Sequence, residues 1–263
     1  MTASLALYLV TGSFAGFMAG LLGIGGGLII VPVLYAIFSS QTDGISAASM
    51  QMALATSLAT ITFTSVSSTW AHHRKQAVLW PVVWRLAPGI LAGAWLGGLF
   101  AAAISSEFLK TVFALFELAV AALMLSDYQP RQHAAGLQPA RATTGGFFIG
   151  AISALVGIGG GTLSVPFLHW HGVSIKQAIA SSAACGFPIA VAGALAYIYA
   201  GWGRAVGNDP SLGYVNLHAF AAIITTSLLT APLGAKLAHH LADRKLKKIF
   251  ALFLLALAIK MLF

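Results

Sequence analysis

The sequence predicts an all-α polytopic membrane protein made of two copies of one four-segment unit, and three observations predict it. Hydrophobic residues make up 59% of the chain and charged residues 8%, with a mean hydropathy of +0.88, whereas a soluble domain carries about 25% charged residues. Apolar stretches of at least about 18 residues, enough to cross roughly 30 Å of hydrocarbon, recur from end to end. The pentapeptide GIGGG occurs at residues 23–27 and again at 157–161, each time with a proline five positions after its last glycine, Pro32 and Pro166.

The copies align throughout. Gly16 matches Gly150, ALATSLA (53–59) matches AIASSAA (178–184), and LGGLFAAAISSEFLKTVFALF (96–116) matches LGAKLAHHLADRKLKKIFALF (233–253). Residues 1–126 and 143–263 are therefore two repeats, joined by the polar linker 127–142. The first repeat has apolar segments at 13–38, 46–70, 80–102 and 108–125, and the second at 144–170, 177–202, 214–237 and 245–263. The start, MTASLALYLV, lacks the positive charge of a cleavable signal peptide, so the first apolar segment is expected in the mature protein. The one cysteine, Cys185, excludes an intramolecular disulfide and a cysteine metal cluster and is read as a packing residue. The formal net charge is +8, but the 14 Lys and Arg are scattered through short inter-segment loops, which argues for orientation signals and against nucleic-acid binding.

Those cations test the topology. If every segment spans, the repeats face the same way and the cations divide evenly between the two sides. Suppose instead that each GIGGG segment enters halfway, turns at its glycines and returns, so that the second repeat is inverted. Arg74, Lys75, Arg85, Arg131, Arg141, Lys176, Lys236, Arg244, Lys245, Lys247 and Lys248 then share one side and leave Lys110, Arg204 and Lys260 opposite. That asymmetry obeys the positive-inside rule and puts the rich side in the cytoplasm. About nine or ten apolar residues flank the first glycine run on each side, roughly half a bilayer per arm at 1.5 Å per residue. Residues 4–12 are apolar enough to lengthen the first arm to a full crossing.

Irregular backbone at membrane depth must be buried in protein or line a watery cavity. Glycine permits positive φ and close approach to the backbone, and the arms beginning at Leu28 and Thr162 aim unpaired N–H groups and a positive dipole end inward. Two such turns facing each other would make the broken-helix anion site of a secondary transporter with inverted repeats. Gly12, Gly16, Gly20, Gly93, Gly97 and Gly150 read instead as packing glycines. No Lys-Ser or Lys-Thr follows either run, so a nucleotide loop is set aside.

GIGGGLIIVPVL and GIGGGTLSVPFL, each followed by an ATS or ASS segment, resemble the sulfite exporter TauE/SafE family of small bacterial anion permeases over nearly the whole chain. The resemblance implies transport of sulfite, thiosulfate or an organosulfonate across the bacterial inner membrane, with no cofactor and no enzymatic activity. It maps substrate binding to Gly23, Gly25, Gly26 and Gly27 with Gly157, Gly159, Gly160 and Gly161, and to the hydroxyl pairs Thr56 and Ser57 with Ser181 and Ser182; Thr162, which opens the second arm, joins them from the helix-terminus argument. Ser181 stands where the family usually has threonine.

The hydroxyls have their own argument. Residues 56–69 contain more Ser and Thr than a bilayer-facing helix needs, so some are expected to face a polar path, although any one can bond within its own helix. Glu117, alone in an apolar segment, is the candidate for coupling a proton to transport, although its counterpart is Leu254. His72, His73, His169, His171, His239 and His240 sit at segment ends without clustered acids, which favours interface placement over metal. The partners expected are a small anion, a coupling proton and the lipid bilayer, with a passive anion channel as the alternative to a carrier.

Overall fold

The computed structural model describes residues 2–22, 26–40, 45–126, 137–204, 209–237 and 244–262. Gly23 and Gly25, most of the linker, and His239 and His240 lie outside the described residues. The first repeat contains α1 (Thr2–Leu22), α2 (Gly27–Ser39), α3 (Ser49–His73), α4 (Trp80–Ala103) and α5 (Ser106–Leu125). The second contains α6 (Pro139–Val156), α7 (Gly161–Trp170), α8 (Ile175–Ala200), α9 (Leu217–Leu237) and α10 (Arg244–Leu262). The expected segments are largely helical, and each glycine run divides its segment in two. Among the described residues Trp80–Ala103, Ser106–Leu125, Ile175–Ala200 and Leu217–Gly234 are long and apolar enough to cross a membrane.

Two expectations are corrected. The arms about the glycines are unequal: α1 has 21 residues and α6 has 18, whereas α2 has 13 and α7 has 10. At 1.5 Å per residue α1 is about 31 Å long, a full hydrocarbon thickness. The cause is local, since residues 4–12 hold no breaker stronger than Gly12 and the helix propagates back to Thr2. The segment at 214–237 also starts with something other than helix. Ser211–Leu212 (β1) pairs antiparallel with Val215–Asn216 (β2) around Gly213, whose φ is +57°.

The repeats interlock, and they do so residue by residue. Gly12 lies against Ile223 and Gly16 against Ser227, so α1 and α9 run parallel. Their counterparts do the same: Gly146 lies against Leu86 and Gly150 against Ile90, making α6 and α4 a second parallel pair. Gly234 meets Phe17 as Gly97 meets Ala151. These glycines remove the side chains that would hold two backbones apart, which is how helices associate closely where lipid supplies no hydrophobic drive. Gly12, Gly16, Gly93, Gly97 and Gly150 thus all sit where packing requires them.

At the centre α3 packs on its own counterpart, α8. Leu58 lies against Gly193 and Ser65 against Gly186, so the index rises on one helix as it falls on the other. The two helices therefore run antiparallel.

Candidate functional site

The two glycine runs meet between α3 and α8. Gly26 precedes α2 with φ +72° and ψ −15°, and Gly160 precedes α7 with φ +74° and ψ −5°. The same left-handed conformation at counterpart positions turns the chain back, and a side chain there would be strained. The turns touch: Gly27 packs on the carbonyl of Gly157 and the Cα of Ile158. Gly159 lies beside Gly186 of α8, whose added Cβ would stand 3.1 Å from the Gly159 carbonyl oxygen.

Beyond each turn the first N–H groups of the short helix have no acceptor within that helix. Gly26 accepts from the N–H groups of Ile29 and Ile30 at 3.0 and 3.1 Å, and Gly160 from those of Leu163 and Ser164 at 3.1 and 2.7 Å. The N–H groups of Gly27, Leu28, Gly161 and Thr162 come before these bonded ones.

The hydroxyl pairs divide the work. Thr56 Oγ1 accepts from the N–H of Asn216 at 3.0 Å, and its counterpart Ser181 Oγ accepts from the N–H of Leu79 at 2.9 Å. Each thereby fixes the start of a helix in the other repeat, α9 or α4, while its own O–H stays available to donate. Ser57 Oγ donates to the Gly157 carbonyl at 2.8 Å, tying α3 to the second turn. Ser182 Oγ is buried without a hydrogen-bond partner among the described residues.

Around the second turn three more buried hydroxyls, Ser153, Thr162 and Ser164, also lack partners among the described residues. Ser153 Oγ and Ser164 Oγ converge on Gly160, 3.3 and 3.4 Å from where a Cβ would stand, next to the terminal methyl of Ile189. Their counterparts in the first repeat are Ala19, Leu28 and Ile30. Sequence reasoning missed Ser153 and Ser164, although a signal was present: GTLS stands in the second copy where GLII stands in the first.

Next to the turns is a small cavity of about 10 Å³, roughly the space of one water molecule, with Thr64, Ser65 and Ser68 on one wall and Gly159 and Gly186 on another. Glu117 does not line it. That carboxyl is fully buried on α5, and neither oxygen has a hydrogen-bond partner among the described residues. The histidines are bound locally. His73 Nδ1 accepts from Trp80 Nε1 at 3.1 Å, and the Nδ1 atoms of His169 and His171 lie 3.0 and 2.8 Å from the carbonyls of Val173 and Phe167.

Comparison with known proteins places the chain in a family. The family model described as sulfite exporter TauE/SafE matches residues 8–261. A "Probable membrane transporter protein" of Haemophilus influenzae is 41% identical over 256 residues, covering 97% of each chain. One of Methanocaldococcus jannaschii is 26% identical over 92% of this chain and 90% of its own. The probable membrane transporter protein YunE of Bacillus subtilis is 25% identical over 99% and 98%. No solved structure matches. With a family model covering nearly its whole length, the chain belongs to the sulfite exporter TauE/SafE family and is a membrane transporter, not an enzyme.

Proposed function

We propose that the protein is a secondary carrier moving a small sulfur-containing anion, such as sulfite, thiosulfate or an organosulfonate, across the bacterial inner membrane. The observation that carries this reading is the pair of left-handed glycines, Gly26 and Gly160, each opening a short helix toward the same interior. Helix N-termini supply N–H donors and positive potential to an anion. Gly26, Gly27, Gly157, Gly159, Gly160, Gly161 and Thr162 form the cradle in this reading, and Gly23 and Gly25 are assigned to it from the sequence motif alone. Thr56, Ser57, Ser181 and Ser182 flank it, and Ser153 and Ser164 add neutral donors on the second side.

The repeats are inverted in the membrane in this proposal. The antiparallel packing of α3 on α8 supports that, since equivalent helices with opposite directions require, where both cross the bilayer, a pseudo-two-fold axis in the membrane plane. Glu117, a buried carboxyl within a helix of spanning length, is the proton-coupling residue.

The test is anion binding by purified protein, read as thermal stabilisation and as affinity. Sulfite, thiosulfate and ethanesulfonate should stabilise the wild type, and neutral ethanesulfonamide should not. Gly160→Ala should weaken ethanesulfonate binding at least about tenfold, because a Cβ enters the space between the two serines and strains the turn. Wild-type affinity in Gly160→Ala would withdraw the anion-site reading. Counterflow in proteoliposomes separates carrier from channel: a carrier exchanges labelled for unlabelled anion, and a channel passes current that follows voltage.

A further inference from the structure

The central helices present chemically different surfaces at equivalent positions. C-terminal to Ile61, α3 carries Thr64, Ser65, Ser68 and His72, spaced to fall on one helical face, and all four are buried. The counterparts on α8 are Ile189, Ala190, Gly193 and Tyr197. The α3 face opens: Thr64, Ser65 and Ser68 wall the cavity whose other side is Gly159 and Gly186. The α8 face is closed. Leu58 fills the space at Gly193, and the fully buried Tyr197 donates its O–H to the Ala154 carbonyl at 3.3 Å and stacks edge-on to Tyr214.

Hydrogen bonding on the open face suits a visiting acceptor. Ser68 Oγ is 4% exposed at the residue level and has no partner among the described residues. Thr64 and Ser65 donate to carbonyls of their own helix at 3.3 and 3.1 Å, bonds that a hydroxyl rotation exchanges for a ligand oxygen.

Charge gives the face a direction. Because Ser65 stands opposite Gly186, the cavity lies toward the end of α3 and the start of α8, where Arg74, Lys75 and Lys176 are exposed. The exposed acid Glu107 lies at the opposite end, near the start of α3, where Met50 N–H bonds Ser106 Oγ at 2.9 Å. Asp209 is at that end too, bonded by Asn216 Nδ2 at 3.1 Å.

We propose that Thr64, Ser65 and Ser68, facing Gly159, form a one-sided vestibule through which an oxyanion reaches the glycine turns from the basic end of α3, while Tyr197 bars the equivalent route from the other end. The basic rim concentrates anions, and the hydroxyls replace their water before the glycine turns take over. This rests on the anion-carrier reading above.

The experiment uses the full chain in a Cys185→Ala background and the impermeant reagent (2-sulfonatoethyl) methanethiosulfonate, which itself carries a sulfonate. Ser65→Cys and Ser68→Cys should be modified from the same membrane side as a Lys75→Cys marker, and saturating ethanesulfonate should slow modification of Ser68→Cys about tenfold or more. Ala190→Cys, the counterpart of Ser65→Cys, should resist from both sides. A separate Ser68→Ala variant should bind ethanesulfonate about fivefold more weakly, the worth of one hydrogen bond, without lowering the thermal stability of the empty protein, since the hydroxyl removed is unpaired. Ser68→Cys unreactive from both sides, Ala190→Cys reacting equally fast, or unchanged affinity in Ser68→Ala would overturn the vestibule. A wild type that no anion stabilises would defeat the carrier reading itself; one stabilised by ethanesulfonate with an unreactive Ser68→Cys would defeat the vestibule alone.

Discussion

Glu117 and Leu254 occupy the same place in the two repeats, and both are fully buried. Leucine is therefore a side chain that this packing accommodates, whereas a carboxyl without hydrogen-bond partners is a cost the fold carries. Glu117→Leu should raise stability by about 1–3 kcal/mol, measured by urea or thermal unfolding in detergent. If the carboxyl carries the coupling proton, Glu117→Gln should flatten the pH dependence of transport while leaving ethanesulfonate affinity within about twofold of the wild type. A pH profile identical to the wild type would return Glu117 to a structural role. The doubled GIGGG was legible at this scale because three consecutive glycines cannot be explained by helical packing alone. The serines at 153 and 164 were not, because their meaning depends on which atoms face Gly160 after the turn has formed.

Among the elements, α4 and α9 begin under the control of the opposite repeat. Leu79 precedes α4 with no side-chain cap of its own, and its N–H is satisfied by Ser181 across the interface. Asn216 precedes α9, and Thr56 satisfies its N–H in the same way. Thr56→Val keeps the shape and removes the acceptor, so it should destabilise by about 1–3 kcal/mol, and Ser181→Ala should do likewise. The two effects should add in the double variant, since the bonds share no partner. A double variant as stable as the wild type would show that water replaces both hydroxyls.

Helix positions were legible from apolar runs, and the length of α1 was flagged by residues 4–12. The cross-repeat bonds were not legible, because Asn216 acquires its partner only when α3 meets the start of α9, and Leu79 only when α8 meets the start of α4. The excess of hydroxyls in 56–69 was legible, but which of them line the cavity beside Gly159 and Gly186 is decided by contact with α8, a fact absent from the α3 sequence.

For the whole molecule, the antiparallel central pair predicts sidedness. In the Cys185→Ala background, cysteines at Lys75 and Leu137 should react with an impermeant thiol reagent from one side and a cysteine at Arg204 from the other. Arg85 binds the Leu137 carbonyl at 3.4 Å near the start of α4, whereas Arg204 follows the far end of α8 and binds the Tyr214 hydroxyl at 2.9 Å. Parallel repeats would put Lys75 and Arg204 together, and that labelling pattern would end the inverted model.

The interlocking of the repeats also bears on how the molecule is made. The glycine face of α1 fits α9, whose contacting residues run from Ile223 to Gly234, so α1 is synthesised well before the partner that covers it. Its counterpart α6 finds α4 already present. The N-terminal half therefore leaves the ribosome with its closest-packing surface uncovered, while the C-terminal half docks on a template as it emerges. Assembly is thus asymmetric between two halves built on one plan, and the glycine face of α1 is expected to stay uncovered until α9 has been made.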